Sequence, residues 1–192
     1  MRFLCPWVVH GQPRRALSHR HETANAASLG VASMDLLRAR IQGPPPRRLE
    51  QSYTELFFLD EPTAFAAGHR PCFECRRRDA QLFAEKWRKV HQYRKPPHAA
   101  EMDNVLHAER LRGRSKRLHR RDIDELPDGA FVAFDGAAFA IRGDTLLHWT
   151  PEGYDARQPR PRRVSVDVLT PPAIIGILSA GYETRWHRSA TD

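Results

Sequence analysis

Cys72 and Cys75 stand three residues apart in the segment Gly68-His69-Arg70-Pro71-Cys72-Phe73-Glu74-Cys75-Arg76-Arg77. In a tight turn this spacing puts both sulfurs on one side, at a separation that a tetrahedral zinc ion accepts. The flanking arginines lower thiol pKa and favour the thiolates that bind metal. Two ligands make half a site. Cys5, His10, His19, His21, His69, His91 and His98 are candidates to complete it, and none stands at a second knuckle spacing. A redox CxxC competes with the metal reading. It ordinarily starts a helix after a strand in a thioredoxin-like unit, and that pattern is missing here. Two buried or idle thiols are the bland alternative.

Asp103, His107 and Arg110 fall at i, i+4 and i+7 of an expected helix and so share a face. A carboxylate orienting a histidine is a general-base arrangement, which makes Asp103 and His107 candidate catalytic residues. A solvated face with ordinary ion pairs is the competing reading. Arg110, Arg112, Arg114, Lys116, Arg117, Arg120 and Arg121 put seven cations in twelve residues, enough to contact phosphates. Asp122, Asp124, Glu125 and Asp128 follow at once and offset them, so a solvated basic loop competes. Arg76, Arg77 and Arg78 are better phosphate candidates, because the cysteine turn would fix their geometry. His148 and His187 have no partner visible in sequence. There is no Gly-rich phosphate loop, nucleophile elbow or His-Glu-x-x-His pattern.

The elements that must position these residues begin at Tyr53. Tyr53 to Leu59 reads as a strand. Asp60 suits an N-cap, Pro62 a first turn and Gly68 a stop, so Glu61 to Ala67 is an expected short helix. Arg78 to Tyr93 is an expected amphipathic helix with Leu82, Phe83, Trp87 and Val90 on one stripe, ended by Pro96-Pro97. Ala99 to Leu111 is another, with Met102, Val105 and Leu106 inward. Arg112 to Arg121 is an expected basic loop. Ala130 to Phe134, Ala137 to Ile141 and Thr145 to Trp149 then read as an antiparallel meander, separated by Asp135-Gly136 and Gly143-Asp144. Phe131, Phe134 and Phe139 belong to its core. Trp149, Pro151, Gly153 and Tyr154 read as an aromatic turn. Val164 to Leu169 is a fourth strand, and Pro171-Pro172 opens a last helix stopped by Gly181. The expected fold class is α+β: a zinc-knuckle half (51–111), then an antiparallel β-meander with a C-terminal helix (128–185). Residues 51–192 form one domain in this reading.

Residues 1–50 differ in composition. They hold eight arginines, three acids and five of the 15 prolines, with a short helical stretch near Ala26 to Ile41. The remaining chain has 23 basic and 20 acidic residues, so most of the net charge of +8 sits in the first segment. Only four basic residues are lysine, which reads as coding bias before it reads as selection for phosphate. With 41% apolar residues the chain can build a core, which excludes wholesale disorder. Pro172 to Ala180 is too short to span a bilayer. Met1 to Val9 is broken by Pro6 and lacks a cleavage site, so a signal peptide is not expected. Three cysteines make no disulfide framework, and a cytoplasmic setting is expected.

Residues 56–79, LFFLDEPTAFAAGHRPCFECRRRD, resemble the second half of the zinc-binding domain of the Ada DNA-methyl-damage response proteins. There a Gly-x-Arg-Pro-Cys-x-x-Cys knuckle supplies two of four zinc thiolates, and an upstream cysteine accepts a methyl group from a DNA phosphotriester. Only Cys72 and Cys75 match. The resemblance therefore implies a structural zinc knuckle and contact with DNA, but not methyl transfer. Residues 52 to about 188 also resemble a family of uncharacterised bacterial proteins through YTELFFLDEPTAFAAGHRPCFECRR, MDNVLHAERL, LPDGAFV, GDTLLHWTPEGY, VLTPP and AGY. That family opens on Met-Gly-Asn-Arg-Gly and continues with a Trp-Ile-x-Cys-x-Leu-Glu-Phe-Lys-Gly-Arg segment, both missing here. Codons exist for His10 to Arg14 that read Met-Gly-Asn-Arg one base later, and Met34 to Pro46 permits a shifted Trp-Ile-Cys-Cys segment. The expectation is that roughly residues 10–50 are an out-of-frame translation; a genuinely divergent, poorly ordered N-terminal segment at 1–50 is the alternative. Zinc and nucleic acid are the expected cofactor and partner, with no membrane; a metal-associated hydrolase or nuclease using Asp103 and His107 is the alternative, and loss of activity through an incomplete metal site is another.

Overall fold

The computed structural model describes residues 58–191. The expected helix at 26–41, most of the expected strand at 53–59, Cys5, His10, His19, His21 and the out-of-frame segment lie outside the described residues. Phe58 and Leu59 belong to no strand.

The first helix, α1 (Glu61–Ala66), starts where the sequence says it should. The Asp60 carboxylate accepts from the Thr63 backbone N–H at 3.0 Å, which satisfies an otherwise orphaned donor. All six helix residues are buried. The helix ends in a Schellman arrangement: Gly68 N–H donates to the Phe65 carbonyl and His69 N–H to the Ala64 carbonyl, both at 2.9 Å. Gly68 takes φ +77° there. A Cβ at this position would lie 2.6 Å from the Arg110 side chain, so glycine is needed for both backbone and space.

Helix α2 (Arg77–Val90) buries Ala80, Phe83, Ala84 and Trp87, one stripe at helical spacing. Helix α3 (Ala99–Arg110) buries Met102 and Leu106, and its Glu101 carboxylate accepts from His98 N–H at 2.7 Å. Near the C-terminus, α4 (Pro172–Ser179) is apolar on nearly every side because it fills the space between the helices and the sheet. Ile174, Ile177 and Leu178 join Phe65, Phe83 and Trp87, while Ile175 faces the sheet. Glu109 on α3 accepts from Ala173 N–H at 2.9 Å, tying α3 to the start of α4.

The run expected as a basic loop is strand. Leu111–Arg112 (β1) and Ser115–Lys116 (β2) form a two-residue-loop hairpin, and His119–Asp122 (β3) enters the main sheet. Alternation is hidden there because charged residues occupy both faces of exposed edge strands. Then follow β4 (Phe131–Phe134), β5 (Ala137–Arg142), β6 (Thr145–Thr150), β7 (Gly153–Pro159) and β8 (Ser165–Val168). The six-stranded antiparallel sheet has the order β3-β8-β4-β5-β6-β7. Strands β4 to β7 are a meander; β8 returns across it to insert between β3 and β4. The expected aromatic turn is present: Pro151 and Glu152 form it between β6 and β7. Trp149 and Tyr154 are paired across β6 and β7, flanked by an irregularity at His148/Trp149. Phe131 and Phe139 are buried as expected, in two different clusters, and the partly buried Phe134 packs against Phe139. The result is α+β, with helices beside an antiparallel sheet. No helix among the described residues is long and apolar enough to cross a membrane.

Candidate functional site

From the Schellman end of α1 the chain passes through His69, Arg70 and Pro71 into the cysteine turn. Arg76 N–H closes that turn onto the Cys72 carbonyl at 2.9 Å and leads into α2. Cys72 is half-buried and Cys75 exposed. Both ends of the turn are braced. Arg70 donates to Asp103 on α3 at 2.8 Å and lies over the Phe73 ring at 5.3 Å. Arg76 pairs with Glu61 and Asp79, each at 2.6 Å. The turn carries two thiols, and it is braced at both ends. Among the described residues no group of three or more His, Cys, Asp or Glu side chains is placed to hold a metal ion.

His69 lies just before this turn, tilted against Phe58 with ring centroids 5.1 Å apart. Its Nε2 is 3.3 Å from an Arg110 guanidinium nitrogen. Arginine can only donate, so Nε2 accepts and the ring proton sits on Nδ1. Burial first, then Arg110, with Arg70 and Lys116 adding to it against the opposing Asp103, brings the His69 pKa down to about 4. His69 is therefore neutral at pH 7, in a strongly cationic setting. Arg110 also donates to the Ala67 carbonyl at 3.0 Å, and Lys116 Nζ donates to the Ala66 carbonyl. Two cations from α3 and the hairpin thus cover the C-terminal carbonyls of α1, where the helix dipole favours positive charge.

A second polar centre is inside the molecule. The Asp60 carboxylate accepts from Thr63 Oγ1 at 2.7 Å, Tyr154 Oη at 2.8 Å and His187 N–H at 3.2 Å, besides its capping bond. Glu61 accepts from Tyr182 Oη at 3.2 Å and Arg185 N–H at 2.7 Å, and pairs with Arg76. Desolvation raises the pKa of both carboxyl groups despite these donors. It raises the Tyr154 and Tyr182 phenols as well, and the neighbouring Asp60 and Glu61 charges add to that. This centre holds the C-terminal segment, from Tyr182 to His187, against α1. The sequence marked Asp60 only as a cap. The overlooked signal was an Asp-Glu pair opening a helix whose other residues are all buried.

The residues expected to do chemistry are dispersed between these settings. Arg76 points inward, its side chain 9% exposed, and its charge is matched by Glu61 and Asp79. Arg77 and Arg78, beside it, are exposed. Arg114 and Arg117 are exposed; Lys116 is half-buried on α1. Asp103 turns to Arg70, while His107 lies exposed one turn on. Among the metal-ligand candidates, His91 bonds the Ala173 carbonyl at 3.2 Å and His98 caps α3, both away from the cysteine turn in sequence and in contacts. His148 does have a partner: Asp155 lies 2.6 Å from its Nδ1. His187 Nδ1 meets Ser189 Oγ at 2.8 Å.

Comparison with protein-family models, with curated proteins and with solved structures gives no match for the chain.

Proposed function

We infer that this protein contacts nucleic acid, and that Cys72 and Cys75 contribute half of a structural zinc site, as the Ada-like knuckle pattern implies. One observation carries the reading: the knuckle segment and the basic hairpin are fastened together through Lys116 on the Ala66 carbonyl and Arg110 on the Ala67 carbonyl and His69. Two cationic segments far apart in sequence thereby become neighbours. Arg77, Arg78, Arg114 and Arg117 stay exposed around them, and a phosphate backbone is the polyanion such a surface fits.

The zinc half of the reading rests on exposure. A cysteine kept only for packing is among the most buried of residues, whereas Cys75 is exposed on a turn braced at both ends. Bound zinc would lock that turn and contribute folding energy. The remaining ligands would come from outside the described residues.

The test has two readouts on the full chain. Binding to a fluorescein-labelled DNA duplex is measured at 50 and 200 mM salt; with 6–10 phosphate contacts affinity should fall by about 10³–10⁵. A flat response overturns the nucleic-acid reading. Zinc is counted after purification in wild type and in Cys72→Ser/Cys75→Ser. Zinc retained equally by both overturns the assignment of the two thiols.

A further inference from the structure

The basic run at 110–121 folds into something more specific than a charged loop. Leu111 and Lys116 pair at the root of the β1–β2 hairpin, Arg112 pairs with Ser115, and Gly113-Arg114 form the loop. Only Gly113 of the two loop residues takes positive φ, +63°, the pattern of a type II′ turn. The root is held firmly. Arg117 N–H donates to the Arg110 carbonyl at 2.9 Å, and His119 Nε2 meets the Glu109 carbonyl at 2.8 Å.

The tip is bare. Residues 112–115 are all exposed while Leu111 and Lys116 are half-buried. A Cβ built on Gly113 would meet nothing within 4 Å. Among the described residues neither Arg112 nor Arg114 makes an ion pair. Of the four acids that follow in sequence, three accept from backbone N–H groups and do not meet these arginines. Asp122 caps the Asp124 N–H at 2.9 Å, Asp124 accepts from Arg163 N–H at 3.0 Å, and Asp128 accepts from Gly143 N–H at 2.7 Å. All three are committed at the far end of β3 and beyond.

We propose that the β1–β2 hairpin inserts into the major groove of duplex DNA, with Arg112 and Arg114 flanking its Gly113 tip. The inference rests on the nucleic-acid reading above and names the form of the partner. A two-stranded β-ribbon fits the major groove, about 12 Å wide and 8.5 Å deep. At about 3.4 Å per residue the tip stands roughly 7 Å beyond its root, comparable to the groove depth. A-form duplexes, whose major groove is deep and narrow, would not admit it.

The experiment compares one sequence as DNA duplex, RNA duplex and single-stranded DNA, by anisotropy at fixed salt, for the full chain and for Arg112→Ala/Arg114→Ala. The expected result is tightest binding to duplex DNA, at least tenfold over duplex RNA, with the preference collapsing in the double variant. Equal binding to both duplexes by the full chain overturns groove insertion while leaving general phosphate contact standing. An unchanged DNA preference in the double variant also overturns it. Binding to none of the three overturns both readings. Vesicles of phosphatidylcholine with 20% phosphatidylserine form a last arm. Adsorption to them as tight as to duplex DNA, and equally lost in the variant, overturns the proposal in favour of nonspecific anion binding.

Discussion

The two polar centres of this molecule use charge in opposite ways. Around Asp60 and Glu61 every carboxylate oxygen finds a donor or an arginine, and the side chains are almost wholly buried. Around the cysteine turn and the hairpin, arginines outnumber acids and several reach solvent unmatched among the described residues. A buried charge without its partner is severely destabilising, so the inner centre must close on itself. An exposed charge costs little to leave open. The same side-chain chemistry therefore serves cohesion in one place and stays open to solvent in the other, and burial decides which.

The largest expected effect is on the inner centre. Glu61→Ala strands Arg76 at 9% exposure and releases Arg185 and Tyr182. Breaking a buried pair costs about 3–5 kcal/mol, read as a fall in thermal unfolding temperature. A loss below about 1 kcal/mol would mean the centre is not what holds the C-terminal segment.

His69, in the outer region, gives a pH signature. Its folded pKa of about 4 lies below the ordinary 6.5, so the unfolded chain binds more protons between these values. Its contribution is fully present above about pH 6.5 and is lost as pH falls toward 4. The loss should reach on the order of 2–3 kcal/mol. Asp60 and Glu61, with raised pKa, work in the opposite sense: their contribution is present at low pH and lost as pH rises through their folded values. Comparing urea unfolding of wild type with His69→Gln isolates the histidine. The variant should lose less stability between pH 6.5 and 4; parallel curves would contradict a buried neutral His69.

Gly68→Ala should cost about 1–2 kcal/mol through the left-handed backbone alone, with displacement of Arg110 adding to it. Asp103→Ala should cost only about 0.2–1 kcal/mol, because the Asp103 side chain is itself more than half exposed. A loss well beyond that would make Asp103 more than a brace for the turn. At the small end, Arg77→Ala and Arg114→Ala should change unfolding free energy by at most about 0.5 kcal/mol, while weakening DNA binding. If they destabilised the fold as much as Glu61→Ala, the contrast between inner and outer charge would fail.

How legible this was in the sequence follows the same division. Local signals fixed α1, since the Asp60 cap, Pro62 and Gly68 each act within a turn of the chain. Periodicity located α2, α3, α4 and the strands β4 to β6 and β8 to within a few residues. Strands β1 to β3 escaped because a charged edge strand buries no face and so shows no alternation. β7 escaped because only Gly153 and Tyr154 are buried at its start. The Cys72/Cys75 turn was legible from spacing alone. That Arg76, expected at phosphate, pairs with Glu61 and Asp79 was not legible, since these become its neighbours only when α1 and α2 pack. The acids after the basic run read as offsetting it, because sequence proximity does not reveal that Asp122 caps the short turn that follows it and that Asp124 accepts from Arg163 N–H.

The most direct test of the division between inner and outer charge is the slope of log affinity against log salt for a DNA duplex. It is measured for the full chain and for Arg77→Ala/Arg78→Ala/Arg112→Ala/Arg114→Ala. Each lost phosphate contact should lower the slope by about one, so a reduction of about two to four is predicted, with the unfolding temperature nearly unchanged. An identical slope in both proteins would place the phosphate contacts elsewhere and contradict the account.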